Sequence, residues 1–314
     1  MLPDVYGRRA SRMERRIDPE PMSAFLERPN RVLHDCSDPL DNIPLSAGIH
    51  RSQVSPWVDF NLENLTEAYG DILSKTVTAG YSDPADPLYI AHSGGLKSLG
   101  IDYISPHLRE PLSIAASEVW GRLVPVTSSF QPQLSLQLQP GDLTFSQYDL
   151  RLDTPISLAV GCVKLARQWH SSTLSTSLDI ALHPINQVID YCQAAQTRYG
   201  FILTNEELVV VRVSHRRVGT TKKPHAEYKA IPWSASGEGV LTVRLALWFL
   251  FVMSMNAEHR PIRTSDEVLP LNLWWKAPGS NMILYQHHLS KRERLSLPPG
   301  AQFRMVWPEM GEIV

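Results

Sequence analysis

A nearly continuous apolar segment in the middle of the chain constrains the fold most. Residues 156–164 read ISLAVGCVK, as expected for a strand that is covered on both faces. Helical spacing follows in Pro184–Thr197, and Gly200 is expected to end this helix. The segments Phe201–Thr204 and Glu207–Val213 are typical of strands. Because a helix between two strands allows a parallel crossover, this order predicts an α/β fold with a mixed sheet flanked by helices.

Two helices and two strands are predicted before this segment. Apolar residues recur at helical spacing in Asn61–Val77 and in about Glu110–Leu123. They alternate with polar residues in Leu134–Leu138 and Leu143–Leu152, as in half-buried strands. Three successive strands predict a meander ahead of the crossover.

The chain is expected to divide into four regions. These are a Pro- and Arg-rich N-terminal arm (1–50), a helical and loop region that packs on the core (51–108), the core itself (109–233), and a C-terminal helix with an irregular tail that completes the same domain (234–314). Two interpretations of the arm stay open. Its arginines contact phosphates, or they belong to a solvated tail.

Composition excludes several classes of protein. The 314 residues carry a formal net charge of −2, so the chain is not uniformly basic. Its three cysteines lack CxxC spacing, which disfavours a disulfide framework or zinc site and favours a reducing compartment. Segment Val240–Met255 is shorter than a membrane span and contains Arg244, so we expect a buried helix and no membrane partner. No secretory signal is visible. We expect an intracellular, cytoplasmic protein.

A local concentration of basic residues follows the last predicted core strand. The segment Ser214–Lys229 reads SHRRVGTTKKPHAEYK and is expected to be a long hairpin or loop. Such residues bind phosphates without regard to sequence, although a solvated hairpin tip is the alternative. The candidate nucleic-acid-binding residues are Arg212, Arg216, Arg217, Lys222, Lys223 and Lys229.

The segment from Ser157 to Val213 resembles the PD-(D/E)XK nuclease superfamily, in particular a fungal branch of uncharacterised proteins. That branch carries an R-Y-G-x-x-x-T-x-x-E-L-V-V block, which is nearly complete here in residues 198–210 (RYGFILTNEELVV). The matching positions of the preceding strand and helix are Lys164, Trp169, Gln187 and Tyr191. The resemblance covers about residues 110–275 and implies a restriction-endonuclease-like fold.

The chain departs from the superfamily where the metal would bind. The resemblance implies that an Asp and the Glu of an E-x-K motif hold Mg²⁺, but Cys162 stands at the Glu position, two residues before Lys164. The Asp position is matched by Asp142, with Asp149 and Asp153 as alternatives. Because Mg²⁺ prefers hard oxygen ligands and a thiol is soft, we expect no metal and no cofactor.

A PD-(D/E)XK-like segment with a basic hairpin or loop and Lys164 but without the metal-binding Glu resembles fungal arginine-containing cyclodipeptide synthases. These enzymes use aminoacyl-tRNA to join arginine to a second amino acid. The resemblance implies tRNA on the basic surface, Lys164 as general base or carbonyl polariser, and Asp142, Asp149 or Asp153 binding the arginine guanidinium. Gln187, Tyr191 and Cys162 complete the candidate site, although Cys162 is also interpreted as a small buried residue.

Two alternatives remain. One is a Mg²⁺-dependent nuclease with a rearranged site, in which Glu118 supplies the missing carboxylate beside Asp142 and Lys164. For Glu118, a solvent-facing helical charge is the simpler interpretation. The other is a non-catalytic module that binds nucleic acid or protein.

Overall fold

The computed structural model describes residues 18–36, 53–78, 87–123, 133–137, 142–148, 155–175, 179–276 and 284–304. Its α-helices are α1 (Met22–Leu26), α2 (Leu62–Leu73), α3 (Ser93–Ser98), α4 (Ser105–Leu123), α5 (His183–Ala194) and α6 (Val243–Ser254). A π-helical segment (Leu99–Ile104) joins α3 to α4, and 3₁₀ turns span Ser171–Ser175 and Asp179–Leu182.

The strands divide into one large sheet and three small ones. They are β1 (Glu20–Pro21), β2 (Leu33–Asp35), β3 (Val54–Pro56), β4 (Thr76–Val77), β5 (Leu88–Ile90), β6 (Gln133–Gln137), β7 (Leu143–Tyr148), β8 (Ile156–Val163), β9 (Tyr199–Leu203), β10 (Glu207–Val218), β11 (Thr221–Pro232), β12 (Leu273–Lys276), β13 (Tyr285–His287), β14 (Glu293–Arg294) and β15 (Gln302–Arg304).

The large sheet is mixed, with strand order β3-β11-β10-β9-β8-β7-β6. Strands β6, β7 and β8 form the predicted antiparallel meander. Helix α5 then crosses over to β9, which runs parallel to β8. Strands β9, β10 and β11 are again antiparallel, and β3 adds in parallel to β11 at the edge. The sequence-based prediction of an α/β fold with a mixed sheet and flanking helices is confirmed.

Side-chain alternation covers the sheet on both faces. In β8, Cys162 packs in the cluster that contains α5, whereas Ala159 packs in the cluster that contains α6. In β10, Val209 faces α5 and Val210 faces α6. Successive side chains of a strand point to opposite faces, so a run of apolar residues requires a helix layer on each side.

Helix α6 is the buried helix expected from the apolar segment. Its twelve residues are all buried, including Arg244, which is 1% exposed. The Arg244 guanidinium donates to Asn30 Oδ1 (3.0 Å), to the carbonyl of Pro29 (2.9 Å) and to the Tyr103 hydroxyl (3.0 Å). Within the described residues, no helix has both the length and the apolarity required to cross a bilayer.

Parts of the predicted N-terminal arm and of the predicted C-terminal tail form secondary structure that the sequence did not indicate. Residues 18–36 of the predicted arm contain α1, whose Met22, Phe25 and Leu26 are fully buried in the core. The predicted irregular tail forms a four-stranded sheet of order β14-β13-β12-β15. The arginines at positions 8–16 lie outside the described residues.

Helix α5 ends earlier than expected. Its C-cap is Ala195, and Gln196 takes the positive φ (53°) of the turn that follows. Gly200, expected to end the helix, lies inside β9 instead. A Cβ there would meet Val188 Cγ1 at 2.4 Å and Cys192 Sγ at 3.0 Å. The glycine is therefore required because α5 packs closely against β9.

Candidate functional site

The candidate site lies at the end of β8, where β7 begins beside it. Asp142 immediately precedes β7, and its Oδ2 accepts a hydrogen bond from the Val163 amide at 3.0 Å. Its Oδ1 lies 2.8 Å from Lys97 Nζ of helix α3. The Asp142 carboxylate therefore binds a lysine ammonium. Lys97 was not predicted.

The Cys162 thiol is enclosed in this site. The side chain is fully buried, and Sγ donates to the Pro184 carbonyl at the start of α5 (3.9 Å). Burial raises the pKa of Cys162 to about 12, an effect that the nearby Lys164 ammonium opposes and the Asp142 carboxylate reinforces. The thiol therefore stays protonated at neutral pH, and a protonated thiol is neither a nucleophile nor a metal ligand.

Helix α5 contributes a hydrogen-bonded pair to the same site. Gln187 and Tyr191 are one helical turn apart, and Gln187 Nε2 donates to the Tyr191 hydroxyl oxygen at 2.6 Å. Burial raises the pKa of Tyr191. The hydrogen bond from Gln187 and the charge of Lys97 lower this pKa, whereas Asp142 and Cys162 raise it. The phenol therefore keeps its proton. Because its oxygen already accepts from Gln187, that proton is available to another acceptor.

Lys164 follows directly after β8 and is half-buried. Its backbone amide donates to the Leu203 carbonyl at 3.0 Å, which fixes the end of β8 against β9. Burial and the Lys164 charge both lower the pKa of His183, the first residue of α5. A neutral imidazole that the sequence did not indicate thus stands near the lysine.

Other predicted site residues are placed elsewhere or not described. Glu118 lies on α4, which packs against α6 on the face of the sheet opposite α5. Its carboxylate binds Lys75 Nζ at 2.6 Å and lies 3.8 Å from the Arg122 guanidinium. These contacts match the interpretation of Glu118 as a surface helical charge. Asp149 and Asp153 lie outside the described residues.

Residues 198–210, which carry the resemblance to the nuclease superfamily, form hydrogen bonds that stabilise the strand ends. Thr204 Oγ1 accepts from the amides of Glu206 (3.1 Å) and Glu207 (2.9 Å), which closes the turn between β9 and β10. The buried Glu207 carboxylate accepts from the Ser171 amide (2.6 Å) and hydroxyl (2.8 Å). Asn205 Oδ1 accepts from the Ala166 amide at 2.8 Å. Together these bonds hold the loop that follows β8, and with it Lys164, against the sheet.

The basic segment forms the end of a long two-stranded hairpin. Strands β10 and β11 pair from Glu207–Pro232 to Val218–Thr221, and Gly219 (φ 62°) begins the two-residue turn. Strand β9 pairs only with residues 208–212 of β10, so the hairpin tip projects beyond the sheet. The exposed basic residues are Arg216, Arg217, Lys222 and Lys223 on the tip and Lys229 further along β11.

The hairpin tip opposes like charges across its two strands. Arg216 pairs in register with Lys223, and Arg217 pairs with Lys222. Like charges directly opposite each other destabilise a strand pair. This tip is therefore a positive surface that a polyanion would neutralise.

Arg212 differs from the other basic residues of the hairpin. Its side chain is 7% exposed, binds Glu227 at 2.8 Å, lies 3.6 Å from Asp59 and stacks over the Trp57 ring at 4.6 Å. It lines a cavity of about 380 Å³ together with both carboxylates and His225. Two carboxylates beside one guanidinium give the cavity a net negative charge, which does not attract phosphate. We therefore remove Arg212 from the candidate nucleic-acid-binding residues.

The donor set does not fit the Mg²⁺ that the fold resemblance implies. Asp142 is paired with Lys97, and the adjacent group is a buried, protonated thiol. Across the described ranges, no three His, Cys, Asp or Glu side chains converge as metal ligands would. The arrangement instead offers ammonium groups, a phenol and one carboxylate, which suit hydrogen bonding and charge stabilisation. Comparison with protein-family models, curated proteins and solved structures finds no match to this chain.

Proposed function

We propose that this protein is a repurposed PD-(D/E)XK-like enzyme that binds aminoacyl-tRNA and acts as an arginine-containing cyclodipeptide synthase. Its fold would be the restriction-endonuclease-like variant of the observed α/β arrangement, and its place would be the cytoplasm, where charged tRNA is made. It would need no metal or other cofactor.

One observation carries the proposal. Asp142, which holds a divalent ion under the nuclease interpretation, binds the Lys97 ammonium at 2.8 Å. A carboxylate adapted to an organic cation also suits the guanidinium of arginine, which forms paired hydrogen bonds with carboxylates. In the proposed complex, the substrate guanidinium replaces Lys97 on Asp142. Asp149 and Asp153 remain the alternative carboxylates.

The remaining residues support acyl transfer. The Lys164 ammonium would stabilise the oxyanion formed when an amine nitrogen attacks the ester carbonyl. Tyr191, oriented by Gln187, would protonate the departing ribose oxygen. In each of two such steps a C–N bond forms, an ester C–O bond breaks, and the amine loses one proton while the ribose oxygen gains one. The first step releases one tRNA and leaves a dipeptidyl-tRNA, and the second step closes the ring and releases the other tRNA, each with a free ribose hydroxyl.

The basic hairpin provides the binding surface for tRNA in this proposal. Arg216, Arg217, Lys222 and Lys223 are exposed on a projecting tip, and Lys229 lies further along β11. Phosphate contacts of this kind give affinity and position, whereas specificity requires contacts to bases or to the aminoacyl group.

Metabolite profiling of a heterologous host tests the proposal. The wild-type protein should produce a new arginine-containing diketopiperazine detectable by mass spectrometry, and Lys164→Ala should reduce it at least ~100-fold, as loss of an oxyanion donor does. Lys75→Ala, a surface lysine bound to Glu118, is the matched control and should leave the product level unchanged. Folded wild-type protein that yields no such product would refute the synthase.

The hairpin also favours a second candidate, a nucleic-acid-binding module without catalysis. Its exposed like-charge pairs suit a polyanion whether or not chemistry follows. Purified protein that binds tRNA with the salt dependence of phosphate contacts, yet transfers no aminoacyl group, would favour the module. Cleavage of RNA or DNA in Mg²⁺ or Mn²⁺ that Lys164→Ala abolishes would instead favour the nuclease.

A further inference from the structure

A second cluster of buried polar groups lies away from the candidate site, between the start of β9 and the segments 259–263 and 287–291. The Arg198 amide donates to the Arg260 carbonyl at 2.8 Å, which brings the two segments together. The His259 and His288 rings meet edge to face at 4.9 Å, and His287 lies 5.1 Å from His288.

Two members of this cluster have buried polar atoms without a hydrogen-bond partner. Arg198 is 3% exposed, its Nε contacts no acceptor, and no carboxylate of the described residues pairs with it. His288 is also 3% exposed, and neither of its ring nitrogens has a partner within the described chain. A buried charge without a counter-ion is strongly unfavourable, so this arrangement requires an explanation.

The surroundings of Arg198 are positive as well. Burial lowers the pKa of Arg198, and the charges of Arg212 and Arg263 lower it further. Burial likewise lowers the pKa of His259 to about 3, with Arg198 and Lys291 adding to the effect. Burial also lowers the pKa of His288 well below its usual value, so His259 and His288 are both neutral at physiological pH. The carboxylate of Glu258 is exposed at the edge of the cluster and pairs with Lys291 at 3.2 Å.

The structure assigns this cluster, with Arg198 and His288 at its centre, as a binding site for a phosphate group. A phosphate would supply the anion that Arg198 lacks and would accept the N–H of His288. His259 and Lys291 are partly exposed, so the group can enter from the surface. The assignment does not depend on the proposed synthase activity.

The position of the cluster links it to the basic hairpin. Strand β10 binds the same segment, since the His215 amide donates to the Arg263 carbonyl at 2.9 Å. Arg216 and Arg217 follow directly toward the tip. A phosphate of a nucleic-acid backbone and a free phosphate would make the same contacts at the base of the hairpin, and two arms of one experiment distinguish them.

The test titrates the full-length protein with inorganic phosphate and, separately, with a short single-stranded RNA, at constant ionic strength. We expect a saturable rise in melting temperature with about 10 mM phosphate or less. Arg198→Met and His288→Phe should each weaken binding at least ~10-fold. A response to RNA alone would identify a polymer phosphate, and a response to both would identify a free phosphate group as sufficient.

Stability without ligand provides an independent measure. Arg198→Met should be as stable as the wild type or more stable, because it removes an unpaired buried charge. The matched control Arg212→Met should be destabilised, because it leaves Glu227 without its partner. Absence of any saturable response to both ligands, or a response unchanged in both Arg198→Met and His288→Phe, would overturn the assignment.

Discussion

Lys97 and Asp142 form an ion pair at the end of β8, with Nζ and Oδ1 2.8 Å apart. The two side chains come from different parts of the fold, α3 and the residue before β7. Asp142 also fixes the end of β8 through the Val163 amide. The counter-charge of this carboxylate is thus a lysine ammonium.

If the proposed kinship with metal-dependent nucleases is correct, two substitutions should allow this site to bind a metal ion. Cys162→Glu combined with Lys97→Met places two carboxylates together. Without metal, this variant should lose several kcal/mol of stability, because a carboxylate becomes buried. Adding Mn²⁺ should restore much of it, as a ligand that binds only the folded state does. Thermal denaturation with and without Mn²⁺ measures this, and Cys162→Gln with Lys97→Met is the uncharged control. An equal response of both variants would contradict the prediction.

Thiol labelling tests the environment of Cys162. Because burial raises the pKa of Cys162 to about 12, about one such thiol in 10,000 is ionised at pH 8. Cys192 is equally buried, whereas Cys36 is exposed. Native protein treated with iodoacetamide at pH 8 should therefore gain a single adduct at Cys36, and denatured protein should gain three. Rapid native modification of Cys162, located by peptide mass spectrometry, would show that the thiol is accessible and reactive.

Local periodicity predicted the central elements well, because each carries its signal within its own residues. The alternation in β7 and the apolar run of β8 follow from which faces are buried. The helix α5 prediction, Pro184–Thr197, lies within a few residues of the observed His183–Ala194. The grouping of Asp142, Cys162, Gln187 and Tyr191 as one site came from the resemblance and not from periodicity.

The features that the sequence did not predict depend on contacts between distant segments, or on helices and strands too short to show a period. Lys97 has no local feature that links it to Asp142. Helix α1 has five residues, and the strands of the C-terminal sheet have two to four. The outer half of β10 is polar, so the sequence leaves both a hairpin and a loop open there, and the pairing with β11 to Val218 shows the hairpin. Gly200 looked like a helix stop because the sequence does not show that α5 packs against it.

Charge reversal on the hairpin should change the salt dependence of nucleic-acid binding. Arg216→Glu with Lys222→Glu removes two exposed cations that face different partners across the hairpin. Each lost phosphate contact reduces the slope of log affinity against log salt by about 0.7 to 0.9. Fluorescence anisotropy with labelled tRNA at several salt concentrations measures the slope. The exposed Lys276→Glu in β12 is the control, and equal slopes for both variants would place the contact elsewhere.

Gly200→Ala should destabilise the protein, because its Cβ would meet Val188 Cγ1 at 2.4 Å and the Val160 carbonyl oxygen at 3.2 Å. Overpacking of this kind costs about 1–3 kcal/mol. The matched control is Gly121→Ala in α4, where nothing lies within 4 Å of the added carbon. That substitution should stabilise the helix by up to about 1 kcal/mol. Urea denaturation should therefore shift the two midpoints in opposite directions. A Gly200→Ala midpoint equal to that of the wild type would show that α5 does not pack against β9 as closely as described.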